Sequence, residues 1–308
     1  MTNSCTLTEH AKQIWQAGVD AVDSGRLLKD IVALSGHVLT ICGASIDLRQ
    51  LSRIVVVGAG KAGAGMAEAL EEILSSEALQ NADAACEVLG WVNVPADCVR
   101  PLPRIILNAA RPAGVNEPTA EGVEGSQRIL ELVHGLEDSD LCLVVLSGGG
   151  SALLPAPVDG ISLQDKQTIT QLLMRGGSTI NELNCVRKQL SRIKGGGLAR
   201  ASRAGQMVTL VISDVIGDPL DVIASGPTVD DSSTPGEALE IINRVVKGRA
   251  DVPSSIVDRF RRNVSKVDQH SHVDADRVRN LVIGNNEFAV RAAGAKAAEL
   301  GYRVVNQG

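Results

Sequence analysis

From Leu141 to Leu146 no polar residue interrupts an apolar run, which then breaks off at Ser147-Gly148-Gly149-Gly150-Ser151. Such a run is the pattern of a parallel strand covered on both faces. Arg53–Val57 and Met207–Ile212 repeat it, and Val88–Val94, Pro101–Asn108, Asn280–Ile283 and Tyr302–Val305 are further predicted strands. Apolar residues recur at helical spacing over Thr8–Val22, with Thr8 as cap, and over Asn116–His134. The same spacing predicts helices from Ser162 to Arg175, Asn181 to Ile193, Glu237 to Val246, Ser254 to Val264 and Asn286 to Leu300, and another from the glycine turn after Val57 to Leu74. Ser162-Leu-Gln-Asp165 has the form of a capping box. Strands and helices in alternation predict an α/β fold on a parallel sheet. The polar, aperiodic stretch Asn263–Arg279 reads as a linker, with its His270 and His272 exposed to solvent. The strand, helix and strand after it read as the beginning of a second domain.

Composition narrows this picture. A chain of 308 residues can bury one large core or two moderate ones. A net charge of −6 offers no footprint for nucleic acid, and an aromatic content of 2% offers no platform for base stacking. The six cysteines stand apart with no metal-ligand spacing, as free thiols of a reducing compartment do. The N-terminal MTNSCTLTEHAKQ has no basic region followed by an apolar stretch, and no apolar run is long enough for a bilayer span. The expectation is a cytoplasmic protein acting on small molecules, without nucleic acid or membrane as partner, its homo-oligomeric state left open.

The candidate chemistry lies at the strand ends. Gly148, Gly149 and Gly150 free the backbone to turn successive N–H groups onto an anion, flanked by the hydroxyls of Ser147 and Ser151; the alternative is a tight turn with no ligand. Gly58, Gly60 and Gly63 satisfy GxGxxG, a dinucleotide-binding pattern, but the next predicted strand ends in Pro95 and not in an acid for a ribose hydroxyl. Lys61 inside that turn either meets an anion or points into water. Arg187, Lys188, Arg192 and Lys194 crowd the end of one predicted helix, where they either answer the helix dipole or lean toward the glycine loop. Asp214, Asp218 and Asp221 follow a strand end; Asp214 is the metal-ligand candidate, Asp218 is a ligand or a helix cap before Pro219, and Asp221 is expected to be only solvated.

Four blocks carry a resemblance over nearly the whole chain. GAGKAGAGMA at Gly58–Ala67, LSGGGSALLPAP at Leu146–Pro157, NELNCVRKQLSRIKGGGLA at Asn181–Ala199 and ISDVIGDPLDVIASGPT at Ile212–Thr228 resemble the class II glycerate 2-kinases, which join a MOFRL-associated region to a MOFRL domain. The resemblance implies a Rossmann-like first domain over residues 1–265, a linker over 266–279 and the beginning of a second, MOFRL-type α/β lobe over 280–308. It further implies ATP-dependent phosphorylation of D-glycerate to 2-phosphoglycerate with Mg²⁺. Lys61 matches the family's catalytic lysine, and Asp214 would ligate the metal, with Asp218, or orient the attacking hydroxyl. Gly58, Gly60, Ser147, Gly148, Gly149, Gly150, Ser151, Asn184, Arg187 and Lys194 would bind phosphate or substrate. The family's glycine-rich GGRNQE-like segment has no counterpart before Gly308, so the resemblance implies a C-terminally truncated member in which catalysis is not assured. Alternative readings are an NAD(P)H-dependent hydroxypyruvate reductase and a non-catalytic small-anion-binding remnant. No Walker A sequence is present, since Ala62 follows Lys61.

Overall fold

The computed structural model describes residues 2–82, 84–246, 252–264 and 272–305. The chain opens with α1 (Thr2–Asp20) and α2 (Ser24–Ile31), followed by a three-stranded antiparallel meander of β1 (Val32–Ser35), β2 (Val38–Ile41) and β3 (Ala44–Asp47). Next come β4 (Arg53–Ala59), α3 (Gly63–Ile73), α4 (Ser76–Asn81), β5 (Glu87–Pro95), β6 (Ile105–Arg111), α5 (Ala120–His134) and β7 (Asp140–Ser147). A short α6 (Gly150–Leu153), α7 (Leu163–Arg175), α8 (Ile180–Gln189) and α9 (Gly197–Ala201) lead to β8 (Gln206–Ile212). The last elements are α10 (Pro235–Val245), α11 (Ser254–Val264), β9 (Val278–Gly284) and α12 (Asn286–Glu299).

Strands β4 to β9 form one six-stranded sheet in the order β6-β5-β4-β7-β8-β9, every pair parallel. Counted within the sheet this is 3-2-1-4-5-6, the doubly wound Rossmann order. The chain winds outward in one direction from β4 and in the other from β7. The carboxyl ends of these two adjacent strands therefore mark the switch point, where ligands gather in open α/β sheets.

All of β7 is buried, as its unbroken apolar run predicts. Its alternate residues serve different faces. Leu141, Leu143 and Val145 join Ile54 and Val56 in a core closed by α2 and α3, whereas Cys142, Val144 and Leu146 join Val55 and Val57 in a core closed by α5 and α9. A third core stands apart from the sheet. Helices α7, α8, α10 and α11 close around Ile169, Leu173, Val186, Ile242, Ile256 and Phe260.

Several expectations change. The first helix starts at Thr2, not Thr8, and leaves Trp15 65% exposed while Gly18 faces Ala289 and Ala293 of α12. Residues 278–284, expected to open a second lobe, pair with β8 as the sixth strand of the same sheet, and α12 packs on α1. Leu281 and Val282 of β9, both partly buried, pack against the cores on opposite faces of that sheet. Tyr302–Val305 are not in a strand. The helix expected over Asn181–Ile193 ends at Gln189, and Ser191 forms an isolated bridge to Pro157. His270 lies outside the described residues, and His272 is exposed beside Asp230. Among the described residues, no helix is long and apolar enough to cross a membrane.

Candidate functional site

At the switch point the two glycine-bearing turns close on each other. The Ala62 N–H donates to Ser147 Oγ at 3.0 Å and the Lys61 N–H to the Gly148 carbonyl at 3.0 Å. A Cβ on Gly60 would lie 2.0 Å from Ser147 Oγ, and one on Gly58 would lie 1.9 Å from the Val145 carbonyl oxygen, so glycine at both positions lets β4 and β7 approach. The first amide of the GxGxxG turn is therefore engaged by the neighbouring strand. Gly149 adopts φ +82°, which an L side chain rarely takes, and turns the chain into α6. A Cβ there would meet Arg111 Nη2 at 3.0 Å and Lys61 Cε at 3.5 Å. The backbone N–H groups of Gly148 and Gly149 have no acceptor among the described residues. Asp214, exposed at the end of β8, reaches the same loop, its Oδ2 lying 2.3 Å from where a Cβ of Gly148 would stand.

This loop floors a cavity of about 740 Å³ that separates the sheet from the helical unit. The helical side of the cavity is cationic. Lys166 of α7, Arg187 of α8 and Lys194 beyond α8 all line it, and among the described residues the acids of the lining are Glu117 and Asp214. Lys194, 4% exposed, donates to the Ser151 carbonyl and hydroxyl oxygens at 2.8 Å each and approaches the Ala224 carbonyl at 3.5 Å. Ser151 Oγ in turn shares a hydrogen bond of 3.0 Å with Ser225 Oγ. Lys166, 8% exposed, has no partner for its ammonium. Burial first, then repulsion from Arg187, brings its pKa from 10.5 down to about 7. Burial likewise draws Lys194 well below the ordinary range, with Lys166 and Arg187 adding to the effect. Burial lowers Arg187 too.

Of the residues singled out from the sequence, Ser147, Gly148, Gly149, Gly150, Ser151, Asn184, Arg187, Lys194 and Asp214 line this one cavity. Lys61 stands beside Gly149 and borders a second hollow of about 330 Å³ toward α2. Gly58 and Gly60 lie in the strand packing instead, and Asp218 accepts a 2.5 Å hydrogen bond from Asn285 Nδ2 away from the cavity. Asp221 is not merely solvated, since it lies 3.5 Å from the Lys188 ammonium.

Two cations escaped the sequence reading. Arg111, buried at the end of β6, donates from Nη1 to the Val115 carbonyl and to Asn116 Oδ1, and its Nε has no partner. Lys166 had a legible signal: it keeps helical phase with Ile169, Leu172 and Leu173, so a charge sits on the buried face of α7.

A metal set of three or more His, Cys, Asp or Glu side chains does not occur among the described residues. The oxygen donor at this loop that suits a divalent cation is the single carboxylate of Asp214; the N–H groups and cations around it suit an anion instead.

The parallel sheet in Rossmann order, with a cation-lined cleft at its switch point, defines a doubly wound α/β protein. The family model described as Domain of unknown function (DUF4147) matches residues 10–261, and the chain belongs to that family. It is 39% identical over 314 residues to a glycerate kinase of Homo sapiens, an alignment covering 99% of this chain and 58% of that protein. It is 32% identical over 287 residues to a glycerate 2-kinase of Pyrococcus horikoshii, covering 92% and 61% of the two chains. Among solved structures, a Pyrococcus horikoshii protein matches with TM-score 0.81 at 30% identity, covering 96% of this chain and 64% of that one. A glycerate kinase of Thermotoga maritima matches with TM-score 0.73 at 31% identity, covering 97% and 64%. The chain thus spans about three fifths of the length of these relatives.

Proposed function

We propose that this chain carries out the reaction of a glycerate 2-kinase, transferring the γ-phosphoryl group of ATP to the 2-hydroxyl of D-glycerate to give 2-phosphoglycerate and ADP. The observation that carries the reading is the junction of the Lys61 turn with the Ser147–Ser151 loop on a cation-walled cavity. The names of the relatives supply the acceptor.

Phosphoryl transfer asks a protein mainly to position two substrates and to neutralise charge on the moving group. Gly148 and Gly149 offer backbone donors, and the side chains of Lys61 and Arg111 both approach Gly149. Asp214 would hold Mg²⁺ at this loop or orient the acceptor hydroxyl. Held there, Mg²⁺ would supply positive charge to offset that of the phosphoryl oxygens. The bond from the γ-phosphorus to its bridging oxygen breaks, the acceptor oxygen bonds to phosphorus, and the hydroxyl proton passes to solvent.

The test is ADP release by the purified 308-residue chain with ATP, Mg²⁺ and D-glycerate, beside Lys61→Ala and a control without glycerate. Glycerate-dependent release that Lys61→Ala reduces by about 100-fold or more supports the reading. Release that ignores glycerate, or none at all, refutes it for this chain.

A further inference from the structure

Arg187 and Lys188 are neighbours on α8, and the fold treats them oppositely. The Lys188 side chain, 6% exposed, meets Asp231 at 3.3 Å and Asp221 at 3.5 Å. Arg187 faces the cavity instead, with Lys166 and Lys194 for company and no ion pair among the described residues. Taking charges out of water without counter-charge is unfavourable, and native folds rarely tolerate it. Here the outward cation is neutralised by two carboxylates, while the three on the cavity side are left with neutral partners or none. An anion entering from solvent would complete that side.

The hydrogen-bonding capacity indicates which groups would hold it. All three donors of the Lys194 ammonium are directed at protein oxygens, so Lys194 holds Ser151 and contributes its field. The groups free to touch a ligand are the planar Arg187 fork, which matches two oxygens of a carboxylate or a phosphate, and the unpartnered Lys166 amine. The free backbone donors of Gly148 and Gly149, with Lys61 and Arg111, belong to the loop on the sheet side. We propose that Lys166 and Arg187, positioned and assisted by Lys194, form a carboxylate-receiving subsite on the α7 and α8 side of the cavity, which seats the acid group of a small 2-hydroxy acid. The choice of a carboxylate and of a 2-hydroxy acid rests on the kinase reading; the demand for an anion rests on the wall itself. The charged groups lining the cavity around Lys166 are Arg187, Lys194, Glu117 and Asp214, and an arriving anion favours the protonated amine. Binding above neutral pH therefore draws in a proton.

The experiment is calorimetric titration of the 308-residue chain, and of Lys166→Met and Arg187→Met, with D-glycerate, its neutral amide and inorganic phosphate. It is run at pH 8 in two buffers of different ionisation enthalpy, with thermal unfolding to show that each variant is folded. The expected result is that glycerate binds at least about tenfold tighter than its amide, and that each variant weakens glycerate by about tenfold or more while shifting the amide by less than about twofold. Proton uptake on binding glycerate is expected to fall in Lys166→Met, with Lys194 the other amine able to take up a proton. Unchanged glycerate affinity in both variants, equal affinity for acid and amide, weakening of phosphate alone, or no glycerate binding overturns the subsite. ADP release measured on the same preparations separates the two readings. Acid-selective binding without turnover refutes the kinase and keeps the subsite; turnover with an unaltered KM for glycerate in the variants refutes the subsite and keeps the kinase.

Discussion

The Lys194 ammonium donates to both the carbonyl and the hydroxyl oxygen of Ser151, tying the chain beyond α8 to the glycine loop beyond β7. The tie fixes the loop from the side opposite Lys61. Lys194→Met would free Ser151 to shift, and a shift of about 1 Å at a reacting site can cost about 100-fold in rate. The expected outcome is a loss of that size in kcat/KM for glycerate-dependent ADP release, with Tm lowered by no more than about 4 °C. Unfolding in place of inactivation would assign Lys194 to the scaffold.

Gly148 is pressed against the carboxylate of Asp214. A methyl group there would lie 2.3 Å from Oδ2, and the exposed side chain is the partner free to yield. Gly148→Ala is expected to raise the Mg²⁺ concentration for half-maximal activity by about tenfold while leaving Tm nearly unchanged. A Mg²⁺ titration of ADP release checks this, and an unaltered midpoint would remove Asp214 from the metal's surroundings.

Ser147 supplies a hydroxyl acceptor to the Ala62 N–H where α3 begins, and α3 has no side-chain cap of its own. Removing it in Ser147→Ala leaves a donor without its acceptor and costs about 1 kcal/mol. Differential scanning calorimetry should record a fall of about 2–4 °C in Tm.

Lys166 makes stability depend on pH. Its folded pKa of about 7 lies below the ordinary 10.5, so between those values the unfolded chain binds more protons than the folded one. Stability therefore rises with pH across that window. The penalty of burying the ammonium is complete below pH 7 and relieved as pH climbs toward 10.5. Lys166→Met removes the dependence: urea unfolding at pH 7 and pH 9 should show the wild type gaining on the variant, by an amount on the order of one or more kcal/mol. A constant difference would contradict the buried, unpartnered amine.

Local patterns carried the strands and the capped helices. The unbroken run of β7 and the Ser162–Asp165 box are written in adjacent residues, and both occur as expected. What was not legible depends on distant partners. Nothing near Val278 states that its strand will lie beside β8, because the neighbour of a parallel strand is chosen by the whole sheet. Arg187 and Lys188 look alike at a helix end; the carboxylates that tell them apart arrive from Asp221 and Asp231, beyond another strand. The meander β1 to β3 lay in a stretch too short and mixed to show its period. In the candidate site, the glycine loop and Asp214 could be named from strand ends and Lys166 from its phase on α7, whereas Arg111 required knowing which buried faces meet.

The helical unit has its own core around Ile242 and Phe260, with the strands contributing nothing to it. Substitutions there can tilt or reshape the wall bearing Lys166 and Arg187 while the strand ends keep their form. The two sides of the cleft thus rest on different cores, and the Lys194–Ser151 contact is where a change in the packing of four helices would be felt at the glycine loop.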